Sequence, residues 1–355
     1  MLDGKTASGS GIWIHGVNNT WVENMSAQHF HTGSSNGFYW TGVDGYWGNY
    51  LTAYDNGDYG IYAYDSTSSG KVPATFAFDY GSWNADSGIY IGGCRDCHAV
   101  IIDSKSEKNA LGYSGTNAGG ELYLLNSEWD HNATGILPNT LTSEPDPPQS
   151  GAFIVGNYVH DNNDTDVPGT GITGIAPVGV GIGIAGGQDN VVRGNLITNQ
   201  KHNGVSTFWL FTPPINNQVL YNTFKHVGYA GGQQDVDIAF DGTSLQNCAS
   251  HNWDVSNGKK VPASMDPANF QGLSECDDNN PGRTSPLGHG IYAPGDPLFS
   301  IMTALNAAGI TEAKDYKGPG PRPDAEQTMA NPCQGVPANP WCSNGKPAFP
   351  VPTAP

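Results

Sequence analysis

Three groupings of residues carry side chains able to do chemistry. The first is Gly92-Gly93-Cys94-Arg95-Asp96-Cys97-His98. Cys-x-x-Cys-His is the spacing at which c-type haem is attached, with the histidine as axial ligand. The second is a set of imidazoles, His29 and His31 two apart in "QHFHT" with His15 earlier in the chain. A His-x-His pair on one face of an extended segment, joined by a third imidazole, can hold Cu²⁺ or Zn²⁺. The third is a pair of aspartates, Asp58 and Asp86, each two residues before a glycine in "DYGIYAYD" and "DSGIYIGG". Which of these does chemistry depends on the elements that position them.

Those elements repeat. A short apolar unit begins at a glycine: "GIWI" at Gly11, "GFYW" at Gly37, "GIYA" at Gly60, "GIYI" at Gly88, "GYSG" at Gly112, "GILP" at Gly135, "GIGI" at Gly181 and "GVST" at Gly204. The steps are 26, 23, 28, 24, 23, 46 and 23 residues, a period near 23 with insertions. A second unit, an apolar pair or triplet followed by Asn or Asp, ends at Asn24, Asn49, Asp79, Asp103, Asn126, Asn157, Asn195 and Asn222. Two short strands per period are too few for a propeller blade and lack the helix of an ankyrin or tetratricopeptide unit. They predict an all-β, right-handed parallel β-helix of about nine or ten coils stacked about 4.8 Å apart. The Asn/Asp column reads as a ladder of side chains bonded from coil to coil. Residues 1–250 form this repeat domain. Residues 251–355 read as a partly helical, Pro-rich extension packed on it, with a helix in "DPLFSIMTALNAAGI" and a Cys333–Cys342 bridge pinning the tail.

Composition agrees. The 355 residues include 48 Gly and 25 Pro, only 14% are charged, and 37% are hydrophobic, which suits a fold burying one narrow column of side chains. A net charge of −18 with only four arginines excludes a nucleic-acid footprint and opposes anionic membranes. It also opposes a polyanionic polysaccharide unless a cation such as Ca²⁺ intervenes. No apolar run approaches a membrane span. Six cysteines in three sequence-local pairs favour an oxidising compartment, secreted or periplasmic. "MLDGKTASGSGIWIHG" runs straight into the repeat, so a leader and a first cap are expected to lie outside this sequence.

On these repeats the chain resembles the secreted bacterial right-handed parallel β-helix proteins. That group includes pectate and alginate lyases, mannuronan epimerases and the β-helix proteins of copper-enzyme maturation. The resemblance spans roughly residues 1–250 and implies the fold, with a carbohydrate-active role or, from the copper branch, metal handling. "DYGIYAYD" is similar to the Tyr-Gly-Phe-Asp-Pro-His motif of the epimerases at Tyr59-Gly60. Tyr62 stands where the Asp belongs and the Pro-His is absent, so the epimerase mechanism does not carry over.

The repeat assigns the three groupings different prospects. Cys94–His98 falls in a turn between two strands, which offers haem neither an apolar pocket nor a second ligand. A disulfide, local or longer-range, or a metal-binding or redox-active dithiol is expected there instead. Strand alternation sends Ile12/Ile14, Ile61/Ala63, Ile89/Ile91 and Ile182/Ile184 inward. The column between them, Trp13, Tyr39, Tyr62, Tyr90, Ser114 and Leu137, then points out. Its aromatic part reads as an exposed strip on which sugar rings stack, or as a surface covered by a cap, the tail or another chain. Asp58 and Asp86 share one column in adjacent coils, about 5 Å apart by coil spacing. Two carboxylates that close cannot both ionise freely: one pKa rises, or a cation is shared. A raised carboxyl can serve as general acid beside a nucleophile or base.

The resulting expectation is an extracellular polysaccharide-cleaving protein, hydrolase or lyase. Asp58, Asp86 and Tyr59 are its candidate catalytic residues. Trp13, Tyr39, Tyr62, Tyr90, Tyr64 and Asp65 line its substrate groove, flanked by long loops at 66–75, 138–150 and 164–180. Ca²⁺ is a candidate cofactor in the lyase-like version, where Lys71, Arg95, Lys105 or Lys108 would supply positive charge. The rival is a non-catalytic binding or metal-handling β-helix using His15, His29 and His31.

Overall fold

In the computed structural model, residues 1–276 are described except 6, 8, 170–176, 233–234, 241–245, 257–261, 266–269 and 274, together with 317–320, 342–343 and 346–347. Each glycine of the repeat sits where a side chain would strike the next coil. A Cβ on Gly37 would lie 2.6 Å from the Gly60 carbonyl oxygen, on Gly112 2.4 Å from that of Gly135, and on Gly135 2.5 Å from that of Gly181. The glycine column is thus a condition for stacking coils at strand spacing.

The chain winds through three parallel sheets in rotation. Sheet 1 collects the glycine-led strands, among them Ile12–His15, Phe38–Thr41, Ile61–Tyr64, Ser87–Gly92 and Leu111–Thr116. Sheet 2 collects Thr20–Glu23, Tyr46–Asn49, Ala74–Ala77, Ala99–Ile102 and their successors. Sheet 3 holds short strands such as Ser26–Gln28, Tyr80–Ser82, Lys105–Glu107, Glu128–Asp130 and Tyr158–His160. Sheets 1 and 3 have ten strands and sheet 2 has nine, so the solenoid makes about nine turns, consistent with the expected right-handed parallel β-helix. Sheet 3 is absent from the two-strand reading. Many of its strands are only three residues long with one inward side chain, too short for alternation to register. Trp253–Asp254 and Ser264–Met265 continue the stack past residue 250.

Inward positions form the core. In sheet 1 these are Phe38, Ile61, Ile89, Tyr113, Ile136, Ile182, Val205 and Ile238, in register from coil to coil and buried. Phe76, Ile101, Leu124, Ile154 and Val192 face them from sheet 2, with Trp129, Val159, Ile197 and Phe224 from sheet 3.

Polar ladders close the corners. Between sheets 2 and 3 the turn has a left-handed residue in each coil: Asn24, Tyr50, Phe78, Asp103, Asn126, Gly156, Gly194, Tyr221 and His251. From Asp79 onward the residue after it supplies a buried side-chain acceptor, whereas Met25 and Leu51 hold that place in the first two coils. The Asn157 amide donates to Asn195 Oδ1 at 2.9 Å, Asn195 to Asn222 at 3.0 Å, and Asn222 to Asn252 at 2.9 Å. The predicted Asn/Asp column therefore splits. Asp79, Asn157, Asn195 and Asn222 belong to the ladder. Asn24, Asp103 and Asn126 are the left-handed residues before it, and Asn49 ends its strand. Positive φ favours Asn and Asp as much as laddering does, so adjacent positions carry the same residue types.

Residues 317–320 lie against sheet 3, where the Tyr54 hydroxyl donates to the Gly320 carbonyl and the Lys317 amide to Asp166 Oδ1 at 2.9 Å. The tail thus touches the flank of the solenoid here. The helix expected in 296–310 and the Cys333–Cys342 bridge fall outside the described residues. A four-residue helix, Phe270–Leu273, packs Phe270 on Phe240 with ring centroids 4.0 Å apart.

Gly135→Ala should destabilise the protein by about 1–3 kcal/mol, because the only relief is coil separation. Gly70→Ala, with nothing within 4 Å of its Cβ, should stay within about 0.5 kcal/mol. Urea unfolding of the two variants checks this.

Candidate functional site

Asp58 and Asp86 lie in the corner leading from sheet 3 into sheet 1. The Asp58 amide donates to the Ser35 carbonyl at 3.0 Å, the Asp86 amide to the Asp58 carbonyl at 2.9 Å, and the Leu111 amide to the Asp86 carbonyl at 2.9 Å. The two aspartates therefore occupy one column in consecutive coils. A second asparagine ladder holds this corner: Asn56 Nδ2 donates to Asn84 Oδ1 at 2.9 Å, Asn84 to Asn109 at 3.0 Å, and Asn109 to Asn132 at 3.2 Å.

Both carboxyls are shifted towards the neutral acid. Burial pushes Asp58 up to about 6, against a smaller opposing hydrogen bond from Ser34. Burial raises Asp86 well above the ordinary range, and the neighbouring charges of Asp58 and Glu144 add to it. Tyr59 and Ser87 offset part of that shift, yet Asp86 Oδ1 is buried with no hydrogen-bond partner of normal geometry. Asp58 remains half-buried, whereas Asp86 is buried.

Tyrosines surround the pair. Tyr59 stacks on Tyr62 with centroids 4.2 Å apart and lies 4.7 Å from Tyr90, which sits edge-on to Tyr62 at 4.8 Å. Burial, and next the Asp86 charge, raise the Tyr59 phenol. Glu144 completes the group and was not legible in the sequence. It comes from the 138–150 insertion, which Asn117 fastens through its side-chain amide to the carbonyls of Leu141 at 2.7 Å and Pro145 at 2.9 Å. The Tyr90 hydroxyl donates to Glu144 Oε2 at 3.0 Å, and burial holds the Glu144 carboxyl up. Only the Pro-rich character of the insertion signalled a loop that crosses the sheet.

The aromatic column differs from the predicted strip. Trp13, Tyr39, Tyr62 and Tyr90 are in register, but Trp13 is 64% exposed and Tyr90 0%. Trp13 is nearly coplanar with Tyr39 at 7° and 6.1 Å, and Tyr39 with Tyr62 at 11° and 4.5 Å. Identical side-chain positions at strand spacing stack on one another, so the inner faces are occupied by neighbouring rings. The column offers edges and hydroxyls, with an open face at Trp13. Tyr64 neighbours Tyr62 at 6.1 Å. Asp65 follows the strand at its far end, exposed and with φ 47°, away from Asp58.

Of the three imidazoles only His29 and His31 come together, with ring centroids 6.4 Å apart, and the three form no group of metal-ligand spacing among the described residues. His29 and His31 lie in the sheet 3–sheet 1 corner, 3.7 Å and 3.2 Å from Asp55 Oδ2, and His29 also reaches Asp3 at 3.1 Å. His15 ends a sheet 1 strand beside Trp13. The winding separates residues that are near in sequence. Cys94 and Cys97 form the local disulfide, and Cys248 pairs with Cys276.

Sheet 3 carries a polar cluster that sequence reasoning missed. Lys105 Nζ lies 3.0 Å from Glu107, 3.0 Å from Glu128 and 3.3 Å from Asp130. His160 bridges Glu128 at 3.2 Å and Asp161 at 2.8 Å. Glu128, Asp130 and His160 lie close enough to share a metal ion, as do Glu107, Asp130 and His131. The Lys105 ammonium already supplies the positive charge at this centre, so a divalent ion would have to displace it. Burial opposes protonation of His160, but its bonds to Asp161 and Glu128 outweigh this and raise it to about 9.

No family model matches the chain, and no curated protein matches it. Among solved structures, the A-module of mannuronan C-5 epimerase AlgE4 from Azotobacter vinelandii is similar at 14% identity and a TM-score of 0.45. The match covers 70% of this chain and 75% of that one. The chain is a parallel β-helix protein. At this identity the likeness concerns the winding, and no residue's role is transferred from it.

Two pH dependences follow. The raised Asp58 carboxyl favours the folded state below its unfolded pKa near 3.8, and that contribution is lost as pH rises through about 6. Asp58→Asn should therefore melt about 3 °C or more above the wild type at pH 8 and near it at pH 4. The raised His160 contributes below its ordinary pKa of 6.5 and loses that contribution as pH rises through about 9. Asp130 and Asp161, held below the usual carboxylate range despite burial, contribute above their unfolded pKa values and lose this in acid. His160→Gln should flatten the alkaline fall in melting temperature.

Proposed function

We propose that this protein is a secreted carbohydrate-active enzyme that cleaves a polysaccharide chain, with Asp58 as the proton donor. The observation that carries the reading is the aspartate pair. A half-buried carboxyl raised to about 6 stands beside a buried one raised further, among Tyr59, Tyr62, Tyr90 and Glu144. Such a carboxyl keeps its proton in mildly acidic solution and can deliver it to a glycosidic oxygen as the C–O bond breaks, after which water adds to the anomeric carbon and returns a proton to the Asp58 carboxylate. Asp86, neutral and deeper, is unsuited to nucleophilic attack or to a calcium bridge, both of which need an ionised carboxylate. Burial keeps the proton on Asp58, and the charge Asp58 takes on when it ionises adds to the burial that holds Asp86 protonated.

Hydrolysis is favoured over β-elimination of a uronate. The four cations considered for neutralising a sugar carboxylate are placed elsewhere. Lys105 is paired within the sheet 3 cluster and Lys108 with Asp164. Arg95 lies 3.9 Å from Asp146, and Lys71 lines a cleft beside sheet 2. The two disulfides support an oxidising compartment.

The test is reducing-end release from mixed-linkage β-glucan, xylan, glucomannan, polygalacturonate and alginate between pH 4 and 8. We expect turnover of at least one neutral chain, falling above pH 6. Asp58→Asn should lose about 10²–10⁴-fold of it. Full activity in Asp58→Asn, or no cleavage by the wild type across the panel, would overturn the assignment and leave the pair a packed corner.

A further inference from the structure

A cleft of about 530 Å³ opens at the edge of sheet 1 away from the Asp58–Asp86 corner, where the chain turns towards sheet 2. Three consecutive coils line it: Asn19 and Trp21 from the first, Asp44 and Trp47 from the second, and the 68–72 loop with Lys71 from the third. Trp21 and Trp47 are register partners whose rings stack at 4.7 Å and 15°. Trp47 is buried, with its indole N–H donating to the Pro73 carbonyl at 3.1 Å, while Trp21 remains 44% exposed. A large aromatic ring rigidly backed by another, and still open to solvent, is a platform held ready for a flat apolar surface.

The polar rim supplies direction. The Asp44 carboxylate is held by the Ser69 amide at 2.7 Å and the Ser69 hydroxyl at 2.5 Å, which fixes the loop over the cleft. These bonds keep Asp44 ionised, below the usual carboxylate range. The Asn19 side-chain amide, the Trp21 indole N–H and the Lys71 ammonium make no hydrogen bond to described residues, leaving three uncommitted donors among the residues that line the cleft. A pyranose ring matches this pattern, with an apolar C–H face for the indole and hydroxyl oxygens for the donors. Asp44 balances Lys71 locally, and the chain as a whole carries −18, so an anionic sugar gains nothing here.

We propose that this cleft is a binding site for a neutral polysaccharide, holding one or two pyranose units on Trp21 with Asn19 and Lys71 as hydrogen-bond donors. It is separate from the Asp58–Asp86 corner, which precedes the sheet 1 strands, whereas the cleft follows them. It shares only the ligand class with the catalytic reading and does not need cleavage to occur. Its function is to anchor a long chain across sheet 1 from the corner.

The test is affinity gel electrophoresis through soluble mixed-linkage β-glucan, xylan and glucomannan, with polygalacturonate and alginate as the anionic arm. The wild type should be retarded by at least one neutral polymer. Trp21→Ala should weaken that retardation at least 10-fold, and Lys71→Ala should weaken it less. Asp58→Asn, which lies outside the cleft, should be retarded like the wild type. Trp21 is 44% exposed, and an unchanged melting curve verifies the fold of the variant. No retardation by any neutral polymer, equal retardation of Trp21→Ala, or retardation by the uronates alone would overturn the proposal. Retardation lost in Trp21→Ala, with no turnover by the wild type, would sink the catalytic reading and leave this one standing.

Discussion

Every part of this structure depends on the hydrogen bonding of one coil to the next at strand spacing. Parallel strands satisfy their backbone groups along the solenoid, but corners do not do so automatically, and a buried amide without a partner costs about 1–3 kcal/mol. The ladders answer that requirement. Asn157, Asn195, Asn222 and Asn252 at one corner, and Asn56, Asn84, Asn109 and Asn132 at another, each accept from the backbone of the preceding coil. The glycine column meets the same constraint from the steric side, since the carbonyl of the next coil occupies the place of its Cβ.

The same spacing governs the chemistry. Whatever residue type occupies an outward position is brought within a few ångströms of its counterparts above and below. Aromatic residues therefore become self-stacked columns, as in Trp13–Tyr39–Tyr62 and Trp21–Trp47. Like carboxylates become strained pairs, as at Asp58 and Asp86. Mixed charges become compact networks, as in Lys105 with Glu128 and Asp130. Interruptions of the repeat break this monotony. The 138–150 insertion lays Glu144 over Tyr90, and the 68–72 loop roofs the tryptophan cleft.

Much of this was legible in the sequence. The glycine period placed sheet 1, its inward and outward faces, and Asp58 with Asp86 in one column. Sheet 3 was not legible, because three-residue strands with one inward side chain carry no periodic signal. Nor could the ladder be separated from the left-handed column, because both positions select Asn and Asp for different backbone reasons. The histidine grouping failed for a topological reason: His15 and His29 are fourteen residues apart in sequence but belong to different faces of one coil.

The sequence by itself determined the winding, because a repeat that alternates glycine, apolar and amide residues at one period has few other ways to bury its apolar positions. Tertiary structure decided which outward residues are accessible and which are charged. Burial of Tyr90, part of the upward shift of Asp86, the contact of Glu144 and the cleft between three coils all depend on insertions folding back over the stack. Desolvation is a property of everything packed around a group, so no local pattern encodes it.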